Sequence, residues 1–146
     1  MANDLFNVFL ANCIKVQSGF SALDLTTATI KAIFFDKDDD GTIPDYVNDQ
    51  DIADMTLGRV PALGSAPTLT SPTVSATAVF DAADTTFTAL TGDQVELLVV
   101  FRDAGSEATD MLIVGWDTGV TGLPLQPNGG NVTVQWNGSG ILSMGA

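Results

Sequence analysis

The chain has 146 residues, 18 acidic side chains against 5 basic ones, one cysteine and no histidine, for a net charge of −13. Five scattered cations, Lys15, Lys31, Lys37, Arg59 and Arg102, cannot neutralise a phosphate backbone or hold an anionic membrane surface, so neither nucleic acid nor membrane is an expected partner. The missing histidine removes the commonest general base and metal ligand, the lone Cys13 excludes an internal disulfide, and 45% apolar content argues against disorder, leaving one folded domain over 1–146.

The first elements in chain order are a helix and a strand. Leu5, Phe9 and Cys13 repeat every four residues, and Phe6, Leu10 and Ile14 follow one position later. This stripe predicts a short helix over 1–18, capped by Asn3 and stopped by Gly19. No basic region precedes it, so no secretory signal is expected, and the protein reads as soluble and made in a cytoplasm. Thr29 to Phe35 is rich in β-branched and aromatic residues and reads as a strand.

An acidic loop over 36–54 follows, with aspartates at 36, 38, 39, 40, 45, 49, 51 and 54. Its start, Asp36-Lys37-Asp38-Asp39-Asp40-Gly41-Thr42-Ile43, places acids and a glycine as a calcium loop does. Pro44 at the ninth position and Val47 at the twelfth, where a bidentate glutamate belongs, break the pattern. The expected role is a solvated connection with Asp-rich turns and no metal. Calcium, with Asp45 or Asp49 completing the shell, is the alternative. Residues 60–72 carry Pro61, Pro67 and Pro72 and read as an extended arm, poor at ladder pairing, which joins neighbouring elements or lies across another subunit.

The remainder is β-patterned. Strands are expected at Ser71–Phe80, Thr85–Leu90, Val95–Phe101, Met111–Trp116, Val132–Trp136 and Ile141–Leu142. The near-continuous apolar run at 95–101 suits a central strand buried on both faces. Turn signals separate them at Thr91-Gly92-Asp93, Asp103-Ala104-Gly105, Asn128-Gly129-Gly130 (read as a hairpin) and Asn137-Gly138. The expected fold is mainly β: an antiparallel β-sandwich, jelly-roll or immunoglobulin-like, with one short N-terminal helix.

No catalytic constellation assembles, so no enzyme, catalytic residue or cofactor is expected. Asp81 and Asp84 suit turn caps better than paired acid–base work, and Cys13 has no partner base. Trp116 and Trp136 near strand ends suit core or cap positions, with a carbohydrate-stacking platform as the alternative. Asn131-Val132-Thr133 and Asn137-Gly138-Ser139 match a glycosylation pattern by chance if no secretory route exists.

Several stretches together carry a family likeness. They are Thr29 to Asp36, Ala78 to Phe87, Val99 to Gly105, Leu112-Ile113-Val114-Gly115-Trp116-Asp117-Thr118-Gly119, and Leu123 to Leu142 with its Gln135-Trp136-Asn137-Gly138 core. Over most of the chain the sequence resembles a family of small virion structural proteins of tailed bacteriophages, the 36–54 loop being the most divergent part. That resemblance implies a non-enzymatic virion component, with a head decoration or cement protein bound to the outer face of the major capsid protein lattice as the expected role. An acidic protein suits the capsid exterior, away from packaged DNA.

The alternatives are a tail, neck or fibre-base component of the same virion and a carbohydrate-binding β-sandwich module. By analogy with lattice symmetry a homo-oligomer is expected, a trimer before a dimer. The candidate interface residues are Leu5, Phe6, Phe9 and Leu10 of the N-terminal stripe, with Pro61, Pro67 and Pro72 of the arm.

Overall fold

A computed structural model describes residues 4–6, 9, 23–37 and 44–144. Its strands in chain order are β1 (Asp4–Leu5), β2 (Ile30–Phe35), β3 (Arg59–Val60), β4 (Thr73–Val74), β5 (Val79–Asp81), β6 (Thr85–Phe87), β7 (Leu97–Arg102), β8 (Leu112–Trp116), β9 (Val132–Val134) and β10 (Leu142–Ser143). They form a five-stranded sheet in the order β1-β8-β7-β2-β3, a three-stranded sheet β10-β5-β4, and the pair β6-β9. Every pairing is antiparallel, so the chain is mainly β, as its patterning indicates. Among the described residues no helix is long and apolar enough to cross a membrane.

The central pairing is β2 with β7, which runs from Ile30 opposite Arg102 to Phe35 opposite Leu97. Period-two alternation then divides the side chains. Ile30, Ala32, Phe34, Leu98 and Val100 enter one core, and Ile33, Phe35, Leu97, Val99 and Phe101 enter another. The first core is completed by Phe80, Phe87, Ile141 and Leu142 from the smaller sheets and their connections. The second is completed by Phe6, Tyr46, Ile52, Met55 and Ala66, which come mainly from loops. Aromatic contacts join each set, with Phe34 and Phe87 centroids at 4.5 Å and Phe6 and Tyr46 at 4.8 Å. Each such buried ring contributes about 1.5–3 kcal/mol.

Among the described residues the helix expected over 1–18 is not seen at its start. Asp4–Leu5 is strand, with Asp4 opposite Gly115 and Leu5 opposite Val114, and the Phe6 amide donates to the Ile113 carbonyl at 3.2 Å. Of the apolar residues that suggested a helical stripe, Leu5 lies in β1 and packs on the first core, and its neighbour Phe6 is buried in the second. β8 would otherwise leave its outer backbone groups unpaired, and β1 satisfies them. Residues 7, 8 and 10–22, including Leu10 and Cys13, lie outside the described residues.

Three further expectations are corrected. Ser71–Phe80 is not one strand but β4, a turn and β5. The Ser75 hydroxyl accepts the Thr77 and Val79 amides at 3.3 and 3.2 Å, and Ala78 takes a positive φ of 57°. Asn128–Gly130 makes a turn but no hairpin, because β9 pairs with β6, far back in the chain. The acidic loop is only partly solvated. Asp36 is buried, and Tyr46, Ile52 and Met55 anchor its second half and the residue beyond it in the second core.

The proline-spaced arm pairs with β2. After β3 it makes a 3₁₀ turn at Leu63–Ser65, then returns to β2, where the Ala32 amide donates to Pro67 at 3.1 Å and the Leu69 amide to Ile30 at 2.8 Å. It is therefore better paired than its prolines suggest, since neither bond requires a proline donor. Arg59, at the root of the arm, donates to the carbonyls of Met55 and Ile52 and meets Glu107 at 3.0 Å.

Candidate functional site

Trp116 ends β8, and Trp136 stands two residues beyond β9. Register on β7 places Trp116 opposite Leu98 at one end of the five-stranded sheet. Trp136 reaches the same place from the β6-β9 pair, leaving the two ring centroids 6.0 Å apart and tilted by 45°. Two bonds hold Trp136: its indole N–H donates to the Thr85 hydroxyl at 3.1 Å, and its amide to the Asp84 carboxylate at 3.2 Å. Thr85 is itself buried, so the contact is sheltered from water.

The segment between β8 and Leu125 forms the opposite wall. Its reversals need backbone that most side chains avoid, and Gly119 and Gly122 supply it at φ of 73° and 97°. The far end is fastened where Val95 and Leu125 exchange both backbone bonds, at 2.8 and 2.9 Å. Together these walls enclose a groove of about 690 Å³. Phe34, Leu98 and Ile141 contribute to its lining from buried positions, and Trp116, Trp136, Val120, Leu123, Leu125, Val132 and Val134 line it from half-buried ones. Thr121, Thr133, Gln135 and Asn137 are exposed neutral polar residues of the lining; the Thr133 hydroxyl pairs with that of Thr86 at 2.9 Å, and Asn137 Oδ1 accepts the Ser139 amide at 2.8 Å.

Among the described residues the lining contains no charged side chain, in a protein of net charge −13. The acids that touch or adjoin the two tryptophans already have partners. Asp84 accepts the Trp136 amide, and Asp117, adjoining Trp116, lies 3.6 Å from the Lys37 ammonium. A volume within the ordinary range of small-molecule sites, aromatic walls and convergent neutral polar groups fit the groove to an uncharged ligand.

The other sequence candidates fall elsewhere. Phe6 and Phe9 are buried in the two cores at 0% and 1% exposure. Leu5, Pro61, Pro67 and Pro72 are half-buried, and Leu10 lies outside the described residues. Asp38 to Asp40 of the calcium-like stretch also lie outside them. The later aspartates bind backbone: Asp45 accepts the amides of Val47 and Asn48, and Asp51 forms a capping box with Asp54. Among the described residues no group of three or more carboxylate, cysteine or histidine side chains is placed to hold a metal ion.

Sequence reasoning weighed both tryptophans but missed the 117–125 wall. Its only local signal is the glycine spacing Gly115, Gly119 and Gly122. No family model matches the chain, and no curated protein matches it.

Proposed function

We propose that the chain is a non-enzymatic structural protein of a tailed-phage virion, a decoration or cement protein seated on the outside of the major capsid protein lattice. The observation that carries this reading is an uncharged, exposed run. From Val60 to Phe80 no side chain is charged, between Arg59 and Asp81, although the protein as a whole is strongly acidic. Thr70, Ser71 and every residue from Thr73 to Ala78 are exposed, and Val74 on the edge strand β4 is 46% exposed. Solvated edge strands ordinarily carry charges that discourage pairing, and their omission here suits a permanent protein contact. The strong negative charge elsewhere keeps free subunits soluble and disfavours the DNA-filled interior.

The fold belongs to the same proposal as a β-sandwich, the five-stranded sheet facing the smaller sheets across the first core. The contact is assigned to β4 and the arm carrying Pro61, Pro67 and Pro72, with a homo-oligomer, a trimer before a dimer, at a lattice axis. The test is to add purified protein to heads that lack it and measure occupancy. Wild type should bind in hundreds of copies per head. Val74→Asp should bind at least tenfold more weakly while melting at the wild-type temperature. A copy number of about six to a few tens would move the protein to the tail or neck, and unaltered binding of Val74→Asp would remove β4 from the contact.

A further inference from the structure

We propose that the groove between Trp116 and Trp136 is a binding site for a neutral oligosaccharide built of gluco- or galacto-configured rings. This inference stands apart from the virion reading, because it rests on the groove alone. Such sugars present a flat face of C–H bonds on one side and hydroxyls around the edge. Trp116 and Trp136 offer aromatic faces at the half-buried depth that stacking requires, and their 45° tilt makes a bent platform rather than a closed sandwich. Thr121 and Gln135 line the same groove with hydroxyl and amide groups that donate and accept, as a sugar hydroxyl does, while the Thr133 hydroxyl is already paired with that of Thr86.

Charge selects among the possible occupants. Among the described residues the groove's lining offers no cation to meet a sulfate, phosphate or carboxylate, and the net charge of −13 opposes approach of any anion. A purely apolar ligand would leave the polar rim unmatched, whereas a neutral sugar engages both the rings and the rim. The site is also pre-organised. Trp136 is pinned to Thr85, and the opposite wall is fastened at Val95 and Leu125, so little ordering cost falls on binding.

The test is a neutral-glycan array followed by titration of the hits, with maltohexaose and cellohexaose as defined probes and tryptophan fluorescence and calorimetry as readouts. Wild type should bind at least one neutral class with a shift in tryptophan emission, and heparin should not compete. Trp116→Ala should weaken binding at least tenfold. Gln135→Ala, at an exposed rim position, should weaken it several-fold with an unchanged melting temperature, which keeps the test decisive if the tryptophan variant folds poorly. Binding to no neutral glycan overturns the proposal, as does binding that neither variant alters, or an emission shift produced only by a fatty acid or another apolar probe.

Discussion

Trp136 is held by Thr85: the indole N–H meets a buried hydroxyl at 3.1 Å, joining the end of β9 to the start of β6. The bond couples groove geometry to the core, because Phe87 on the same strand lies against Phe34. Thr85→Val keeps the shape and removes the acceptor. The expected cost is about 1 kcal/mol, or a melting temperature lower by about 2–4 °C, together with altered tryptophan emission. Unchanged emission and stability would show that the bond does not set the ring.

Phe9 is buried in the first core, and Phe9→Ala should destabilise the isolated protein by about 3–5 kcal/mol. Thermal or urea unfolding of the free subunit measures this directly. An unaltered midpoint with lost particle binding would instead make Phe9 an interface residue.

Gly58 stands at φ 68°, and a Cβ there would run into the carbonyl oxygen of Asp36. The Asp36 amide also donates to the Gly58 carbonyl at 2.7 Å, so neither backbone can withdraw freely. Gly58→Ala should cost clearly more than the about 1 kcal/mol that positive φ alone imposes. A midpoint within 2 °C of wild type would contradict the close approach.

Acidity should first raise stability and then lower it. Burial, followed by repulsion from neighbouring aspartates, lifts the carboxyls of Asp49, Asp51 and Asp110 above their ordinary value. Each takes up its proton in the folded chain before the unfolded one, so the fold gains as pH falls from neutral through the raised values toward 3.8. Asp24, Asp45 and Asp103 are held low, chiefly by hydrogen bonds from Thr26, Asn48 and Lys31 respectively, and their contribution is lost below that point. Asp110→Asn, which preserves an acceptor for the Ala104 amide, should raise the melting temperature at pH 7 and flatten the acid-side gain. A steeper pH dependence in that variant would refute the assignment.

Chelation should leave the protein unchanged. Asp45, Asp49 and Asp54 already accept backbone amides within their own turns, which places them in local structure without a cation. Melting with EDTA and with added calcium should give the same midpoint. A fall of several degrees on chelation would place a structural ion in the acidic loop.

Legibility in the sequence followed the range of the interactions. β2, β7 and β8 were readable within a residue or two, because a run of β-branched and aromatic residues buried on both faces leaves a local signature. β1 and β3 were not, since two residues on a sheet edge owe their conformation to the partner that pairs with them. Ser71–Phe80 alternates like a strand, yet the Ser75 hydroxyl competes for its backbone and bends it. The groove was half visible. The tryptophans stood out by type, but their meeting depends on β9 pairing with a strand more than forty residues earlier, which no local pattern encodes.

β7 is shared by both cores, with Leu97, Val99 and Phe101 on one side and Leu98 and Val100 on the other. Both of its backbone edges are also occupied, by β2 and β8. Solvent deuterium can therefore reach its amides only when both cores part together, so exchange at Leu98 to Phe101 should proceed at the rate set by global unfolding. These few amides serve as an internal gauge of the whole molecule's stability, readable in the free protein and again after any partner has bound.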